Sequence, residues 1–376
     1  MQTKLKTIEL RGYKSVSGDG QTLPLNDDVT VLIGANGAGK SNIVFFFQLL
    51  GKAMNGAVQT YIAENGFADS LLYYGSKNTN SISALLHFSN GECHQEYKFK
   101  LTFAAGDTLI FSEEMVCPDL TDGVQPTMIS LDAGKRESQL PELTNSVYAD
   151  KLKPMISLLK RCRYFQFHDT TKEAAIRRKG YIADSKSLHS NASNLAAFLY
   201  AIKHQQGGEP YYKRIVRYIQ QVMPQFEDFI LEPSVTDENY ISLDWREKGS
   251  DYIFSVNQIS DGTLRFMALT TLLLQPPKSM PSIIVIDEPE LGLHPKAISI
   301  LAGMIKKASA NVQIIIATQS PRLLDEFSAD KVVVIERDEQ RKTTMFRQLS
   351  KKMLESWEEE YTTSELWDKN VIGGRP

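Results

Sequence analysis

Residues 34–41 read GANGAGKS and come directly after the apolar run VTVLI at 29–33. They match the pattern G-x-x-x-x-G-K-[ST] at every fixed position. Glycines let backbone N–H groups turn inward around phosphate oxygens, Lys40 supplies a cation for the β- and γ-phosphates, and Ser41 offers a hydroxyl to Mg²⁺. The alternative is a chance glycine-rich turn, which fits this strand-to-helix context less well. The stretch therefore predicts a phosphate-binding loop.

The run that follows, SNIVFFFQLLGKAM at 41–54, predicts a helix because it is long, mostly apolar and free of proline. The positive end of the helix dipole would then lie at the phosphates. The pattern assigns nucleotide binding to a continuous set of residues. They are Asn36, Gly37, Ala38, Gly39, Lys40, Ser41 and Asn42.

A second signal is SIIVIDEPE at 282–290, where Asp287 and Glu288 end an apolar run. Such a run predicts a buried strand, and open α/β sheets bind ligands at the carboxyl ends of their strands. Asp287 would hold Mg²⁺, and Glu288 would accept the proton of an attacking water as a catalytic base. A solvated acidic turn is the alternative interpretation, and the phosphate loop elsewhere in the chain argues against it.

A third signal is QISDGTLRFMAL at 258–269, which opens a predicted helix upstream of the acidic strand. A serine hydroxyl and free helix N–H groups form an anion site, although the same residues suit an ordinary N-cap. With these motifs the chain resembles the ABC-type ATPase heads of the RecF/SMC class. The resemblance implies that Ser260 and Gly262 contact the γ-phosphate of a nucleotide held by Lys40 of a second copy.

Two more segments extend this resemblance. Leu291–His294, within ELGLHPKA, occupy the place of a short dimer-contacting loop. ATQSP at 317–321 stands where these heads usually carry a switch histidine, and here the residue is Gln319, a catalytic candidate whose amide can hydrogen-bond but cannot become a cation. With IDEPELGLHP and ISDGT, these segments make the chain similar to the stand-alone predicted ATPases of the AAA_21 type. The resemblance is weaker in the middle of the chain.

The segment RYFQFHDT at 163–170 lies where such heads place a glutamine that couples the metal site to a helical insert. Gln166, His168 and Asp169 all fit this role, because period-2 alternation does not choose among them. Gln166 is the preferred metal-site candidate. The alternative is the edge of a strand with its polar residues turned outward.

The rest of the chain defines the fold class. Apolar strands separated by helices predict a mainly parallel sheet flanked by helices, and three short runs within 81–116 predict an antiparallel meander. The predicted fold is an α/β P-loop NTPase of the ABC-head type, with an antiparallel β subdomain and a helical insert. The predicted parts are an N-terminal ATPase lobe, the helical insert, a C-terminal ATPase lobe and a tail, at 1–148, 149–229, 230–354 and 355–376.

Composition narrows the setting. The formal net charge is −3, so the chain has no global basic field to attract nucleic acid. The 3 cysteines form no C-x-x-C pair, which suits a reducing cytosol. We find neither a signal peptide nor an apolar run long enough for a membrane helix, and we expect a soluble, cytoplasmic protein with no membrane partner. The densest positive stretch, 160–179, is either a surface for a DNA backbone or a solvated face.

These inferences lead to a functional hypothesis. The chain would be an ATPase that binds ATP and Mg²⁺, forms a homodimer through ATP-sandwiched heads, and separates after hydrolysis to ADP and phosphate. It would control a partner effector or act on DNA, in genome maintenance or anti-phage defence. The alternative is a RecF-like repair factor that ATP loads on DNA. Lys40 and Ser260 are 220 residues apart, too far for a transporter motor, and no heptads indicate a long coiled coil.

Overall fold

The computed structural model describes residues 2–91, 93–120, 127–350 and 360–375. The chain divides into two compact units, each made from more than one stretch of sequence. The first unit comprises 1–164, 282–285 and 313–376, and the second comprises 165–281 and 286–312. The four-part division expected from the sequence stays a prediction. Its boundary between 354 and 355 lies outside the described residues.

An antiparallel sheet forms one part of the first unit, with the strand order β2-β1-β4-β5-β6-β7. These strands are β1 (Lys4–Arg11), β2 (Gln21–Pro24), β4 (Ser81–Ser89), β5 (His94–Ala104), β6 (Thr108–Cys117) and β7 (Ile129–Ser130). Buried and less buried residues alternate along β4 and most of β5, so one face of the sheet is packed and the other is not. The predicted antiparallel meander is confirmed, since β4 pairs with β5 and β5 with β6 in antiparallel register.

A second, mostly parallel sheet has the order β18-β17-β3-β16-β15-β8. Its strands are β3 (Val29–Ile33), β8 (Cys162–Phe165), β15 (Ile283–Asp287), β16 (Gln313–Ala317), β17 (Val332–Asp338) and β18 (Thr343–Gln348). Strand β3 runs parallel to both β16 and β17, and every residue of β3, β15 and β16 is buried. Continuous apolar strands of this kind are typical of a sheet covered on both faces. The predicted α/β fold class is therefore confirmed.

The helices of the first unit include the long one that follows the phosphate-loop motif. They are α1 (Lys40–Ala53), α2 (Val58–Glu64), α3 (Phe67–Leu71), α4 (Ala149–Lys160), α9 (Pro321–Leu324) and α10 (Thr363–Asp368). Phe46 of α1 is buried between aromatic rings of the antiparallel sheet and its flanking loop, with ring centroids 6.5 Å from Phe99 and 5.5 Å from Tyr13. Burial of these rings fixes α1, because each large apolar side chain contributes about 2–3 kcal/mol.

The second unit is built around four helices and two small sheets. The helices are α5 (Leu195–His204), α6 (Glu209–Val222), α7 (Asp261–Leu274) and α8 (Pro295–Ala308). One sheet has the order β10-β13-β14 and the other β11-β12-β9, with β9 (Gly180–Tyr181), β10 (Phe226–Ile230), β11 (Pro233–Ser234), β12 (Asp237–Ile241), β13 (Asp244–Glu247) and β14 (Ile253–Phe254). Helix α7 packs against both α6 and α8, and every residue from Leu264 to Leu274 is buried.

The region predicted as a helical insert contains α4, α5 and α6, but the stretch between α4 and α5 is not helical beyond one short 3₁₀ turn, Ala175–Arg177. Short polar side chains there bond nearby backbone instead, as where Asn194 donates to the carbonyls of Asp184 and Ser187. Such local bonds compete with helix formation. Across the described ranges of the chain, no helix is both long and apolar enough to cross a membrane.

Candidate functional site

The phosphate-loop motif lies in the first unit, between the end of β3 and the start of α1. Asn36, Gly37 and Ser41 are exposed, whereas Ala38, Gly39 and Lys40 are buried. The loop thus presents its turn and the Ser41 hydroxyl to solvent and keeps its lysine inside. This is the arrangement expected of a backbone cradle at a helix N-terminus, where free N–H groups and the helix dipole favour an anion.

Lys40 is held by the loop it belongs to. Its Nζ donates to the carbonyl of Gly34 at 2.6 Å and to the carbonyl of Ala35 at 2.9 Å, and the side chain is 6 % exposed. A buried ammonium is stable only where acceptors surround it, and these two carbonyls are among the acceptors that hold Lys40. The loop therefore carries a fixed positive charge directly beside the turn of Asn36 and Gly37.

Two residues far from the motif in sequence form hydrogen bonds with this loop and the start of α1. Ser15 Oγ accepts a hydrogen bond from Asn42 Nδ2 at 2.8 Å, and Thr344 Oγ1 of β18 lies 2.8 Å from both Ser15 Oγ and the carbonyl of Ala38. A methyl group added at Gly39 would come within 2.6 Å of that Thr344 oxygen. Sequence reasoning missed Ser15 and Thr344, since no motif marks residues that act through the tertiary fold.

Gln319 also lies in the first unit, two residues beyond the end of β16. Ala317 of β16 pairs with Leu32 of β3, and the Thr318 N–H donates to the carbonyl of Leu32 at 3.0 Å. Gln319 is half-buried. Neighbouring parallel strands therefore end with the phosphate loop on one and this amide on the next.

The acidic pair ends β15. Asp287 is 5 % exposed, and Glu288, just after it, is half-buried with a φ of 44°. A non-glycine residue in this left-handed region costs about 1 kcal/mol or more, and such strain is concentrated at functional sites. The Leu291 N–H donates to the Glu288 carbonyl at 3.2 Å, which closes the turn that directs the chain away from the strand.

The structure connects Gln166 to the acidic pair through His168. Gln166 Nε2 lies 2.9 Å from His168 Nδ1, and His168 Nε2 lies 3.0 Å from the carbonyl oxygen of Asp287. An amide nitrogen can only donate and a carbonyl can only accept, so in these contacts His168 Nδ1 accepts and Nε2 donates. Of the residues left open by the sequence, His168 contacts the acidic segment and Gln166 orients it.

The signature segment begins helix α7. Ser260 is the N-cap, and its Oγ accepts a hydrogen bond from the Thr263 N–H at 3.3 Å. Gly262 has no room for a side chain, because an added Cβ would lie 2.2 Å from the carbonyl oxygen of Gly292. The start of α7 and the loop of Leu291–His294, both in the second unit, are therefore packed backbone to backbone. Both residues predicted to contact a phosphate lie on this one surface.

Arg265 joins three parts of this surface, and sequence reasoning missed it. Its Nε donates to the Phe167 carbonyl at 2.7 Å, one terminal nitrogen donates to the His168 carbonyl at 3.0 Å, and the other donates to the carbonyl of Leu291. The side chain is 5 % exposed, and burial lowers the pKa of Arg265. The available signal was a single arginine within the apolar run LRFMALTTLLL. Arg265 ties the signature helix to the His168 segment and to the Leu291 loop.

Arg177 also forms hydrogen bonds with the start of α7 and with the residues just before it. Its guanidinium donates to the carbonyls of Thr170, Val256 and Ile259, at 2.8, 2.6 and 3.2 Å, and to a carboxylate oxygen of Asp261 at 2.7 Å. The Arg177 side chain is 6 % exposed. This residue belongs to the positive stretch that the sequence offered as a DNA surface. The structure shows that its charge is used inside the second unit.

Replacing Arg177 with alanine is expected to lower the free energy of unfolding by roughly 3 kcal/mol, because three carbonyls and the Asp261 carboxylate lose a charged donor. Arg178→Ala is the matched control. Arg178 is exposed and its guanidinium donates to the carbonyl of Glu173, so its loss should cost less than about 0.5 kcal/mol. Urea unfolding of the two variants measures the difference. Equal unfolding midpoints would contradict the claim that the hydrogen bonds of Arg177 stabilise the start of α7.

The oxygen donors suit magnesium. Mg²⁺ takes oxygen ligands, usually one or two from the protein with the rest from phosphates and water, and the exposed Ser41 hydroxyl of the first unit is a ligand of this kind. Within the described ranges no group of three or more histidine, cysteine, aspartate or glutamate side chains could hold a metal by itself.

Comparisons with known proteins agree with this geometry. A family model described as "AAA_21: AAA domain, putative AbiEii toxin, Type IV TA system" matches residues 29–325. No curated protein matches the chain. Among solved structures, the fold is similar to an Smc head bound to the C-winged helix domain of ScpA, with a TM-score of 0.58 and 17% identity, covering 92% of this chain and 98% of that one.

Two further structures are similar to a comparable degree. An Smc head from Pyrococcus furiosus, bound to the C-terminal domain of ScpA, has a TM-score of 0.57 and 15% identity over 95% of this chain and 99% of that chain. An Smc head with a coiled coil from Pyrococcus yayanosii has a TM-score of 0.57 and 12% identity over 95% and 100%. At these identities the comparisons establish the fold.

Proposed function

The chain belongs to the AAA_21 family and has the fold of an SMC-like ABC-type ATPase head, and from this premise we propose that it is an ATP-hydrolysing switch that dimerises around its nucleotide. The observation that carries the proposal is the buried Lys40 ammonium, held 2.6 Å from the Gly34 carbonyl beside the start of α1. A fixed cation and free helix N–H groups at one turn form a site for a polyphosphate.

In the proposed site each residue has a separate chemical role. The loop of Asn36 to Asn42 binds the phosphates, and Ser41 and Asp287 hold Mg²⁺, which when bound neutralises charge on the phosphate oxygens. Glu288 accepts the proton of the attacking water. Gln319 donates a hydrogen bond to that water or to the γ-phosphate.

Closure by a second copy completes the site. The start of α7 carries the exposed Ser260 hydroxyl, which bonds Thr263 at the helix N-terminus, and in the proposal this hydroxyl and the positive end of the helix dipole act as a second anion site on the same chain. The adjoining loop exposes Leu291, whose side chain is 45% accessible and could be covered by a partner. In the proposed dimer, Ser260 and Gly262 of one copy contact the γ-phosphate held by Lys40 of the other, so ATP joins the heads and ADP does not.

The switch would act on a partner effector protein. Two of the similar Smc heads are bound to domains of ScpA, which supports a head of this fold as a carrier of a second protein. The RecF-like alternative, loading on DNA, finds less support because Arg177 of the positive stretch is buried and bonds backbone carbonyls. A role in genome maintenance or defence depends on which partner is engaged.

Two substitutions at one position test the closure step. Ser260→Asp and Ser260→Asn both keep an N-cap acceptor, because aspartate, asparagine and serine are near-equal caps. Only aspartate places a negative charge against the γ-phosphate. With a nonhydrolysable ATP analogue and Mg²⁺, we expect dimerisation of Ser260→Asn to be within a few fold of the unmodified protein and that of Ser260→Asp to be at least about tenfold weaker.

Light scattering measures the association, and thermal unfolding without nucleotide shows that both variants fold alike. Equal association of the aspartate and asparagine variants would exclude Ser260 from the phosphate contact. The ATP affinity of the monomeric protein should be the same for the Ser260→Asp and Ser260→Asn variants. In the proposal, the phosphate loop of each chain binds ATP without help from α7 of that chain.

A further inference from the structure

A segment far from the phosphate-loop motif in sequence lies against it in the first unit. We call residues 373–375 the GGR segment. Its backbone is held on both sides, since Trp367 Nε1 donates to the Gly374 carbonyl at 2.7 Å and the Gly374 N–H donates to Glu336 Oε1 at 2.5 Å. Trp367 is fully buried. The segment is therefore a fixed part of this unit.

The approach of the GGR segment to the loop depends on glycine. Gly374 has a φ of 66°, and a Cβ placed there would lie 2.6 Å from Val334 Cγ1 and 3.4 Å from the Cα of Gly34. A side chain at this position would push the segment away from β17 and from the first residue of the phosphate loop. Glycine thus permits backbone contact between the two segments.

Arg375, the next residue, lines a cavity of about 420 Å³ together with the phosphate loop. Its lining also includes Glu336, Arg337 and Glu339. The wall therefore includes the exposed turn of the loop, Asn36 and Gly37, whose backbone the proposed function assigns to phosphate oxygens.

The other charged side chains of this cavity contact groups other than Arg375, so its guanidinium can bind an anion. Glu336 bonds the Gly374 N–H and lies 3.7 Å from Arg347, and Arg337 donates to the Tyr74 hydroxyl at 2.9 Å and lies 3.8 Å from Glu339. Arg375 is exposed, and within the described part of the chain no ion pair joins its guanidinium to a carboxylate. A guanidinium beside a backbone anion cradle is suited to bidentate phosphate binding.

We propose that Arg375 binds a phosphate oxygen of the nucleotide held by the phosphate loop, so that the GGR segment is part of the nucleotide site. This inference rests on the proposed function, because it requires ATP in that loop. Arg375 acts from the same chain as Lys40, which distinguishes it from Ser260 of the second copy.

The test is the equilibrium affinity for ATP–Mg²⁺ of the full chain and its variants. We expect Arg375→Ala to weaken ATP binding about tenfold and Arg375→Lys to recover part of the loss, since lysine keeps the charge without the planar fork. Arg341→Ala is the control, because Arg341 is an exposed arginine between β17 and β18 whose carboxylate neighbour is Asp338. It should bind ATP as the unmodified protein does. Unfolding midpoints without nucleotide should be the same for all of these proteins.

An ATP affinity of Arg375→Ala equal to that of Arg341→Ala would overturn the inference. Lys40→Ala, measured beside them, separates the two claims. Where Lys40→Ala loses ATP and Arg375→Ala keeps it, the proposed function stands and Arg375 has no part in it. An unmodified chain that does not bind ATP would remove the proposed function and, with it, this inference.

Discussion

Alanine at position 40 is expected to reduce ATP turnover by roughly 100- to 1000-fold and to weaken ATP binding. The Lys40 ammonium is buried within the loop, 2.6 and 2.9 Å from two backbone carbonyls, and it is therefore positioned before the nucleotide arrives. Its removal leaves the triphosphate without its nearest fixed cation. Isothermal titration with ATP–Mg²⁺ and a phosphate-release assay measure both effects.

Lys52→Ala is the matched control for this change. Lys52 lies in the last turn of the same helix, α1, and its ammonium is 3.6 Å from the Glu64 carboxylate, a partly exposed pair. Its loss should change stability by less than about 1 kcal/mol and leave turnover unchanged. Similar turnover in the two lysine variants would show that Lys40 does not serve the nucleotide.

Replacing Glu288 with glutamine is expected to lower turnover by roughly 100- to 1000-fold while ATP binding is retained. The amide has nearly the same shape as the carboxylate, so the turn at φ 44° is preserved, but it cannot take a proton from water. The loss should appear in the rate of the chemical step, which a single-turnover measurement isolates.

Glu209→Gln controls for the general effect of removing a carboxylate from the second unit. Glu209 lies on α6, and its carboxylate is 2.7 Å from Lys213 on the exposed face of that helix. This variant should hydrolyse ATP at the rate of the unmodified chain. Full single-turnover activity in Glu288→Gln would assign the base to another residue.

The features that sequence predicted well are local ones. GANGAGKS defines its own turn, and the strand before it and the helix after it follow from a few neighbouring residues. The apolar runs around Val31 and Val285 form buried strands because no other environment suits so many branched side chains in succession. The antiparallel meander followed from alternation and turn residues within 81–116, which is also local information.

The features that sequence reasoning missed depend on contacts between distant parts of the chain. Strand β18 lacks a clear pattern of apolar and polar residues, yet its Thr344 forms a hydrogen bond with Ser15 next to the phosphate loop. Arg265 is a single arginine in a mostly apolar run, and the structure shows it bonded to the carbonyls of three separate residues. Alternation does not choose among Gln166, His168 and Asp169 for the metal-site role, and the contact between His168 and the Asp287 carbonyl depends on the tertiary fold.

The central claim is that ATP joins two heads, with Lys40 of one copy and Ser260 of the other on the same phosphate. Sedimentation velocity of Glu288→Gln, measured without nucleotide, with ADP–Mg²⁺ and with ATP–Mg²⁺, tests it most directly. The account predicts a species of about twice the mass only with ATP, since slow hydrolysis holds the heads closed. The same sedimentation coefficient under all of these conditions would contradict it.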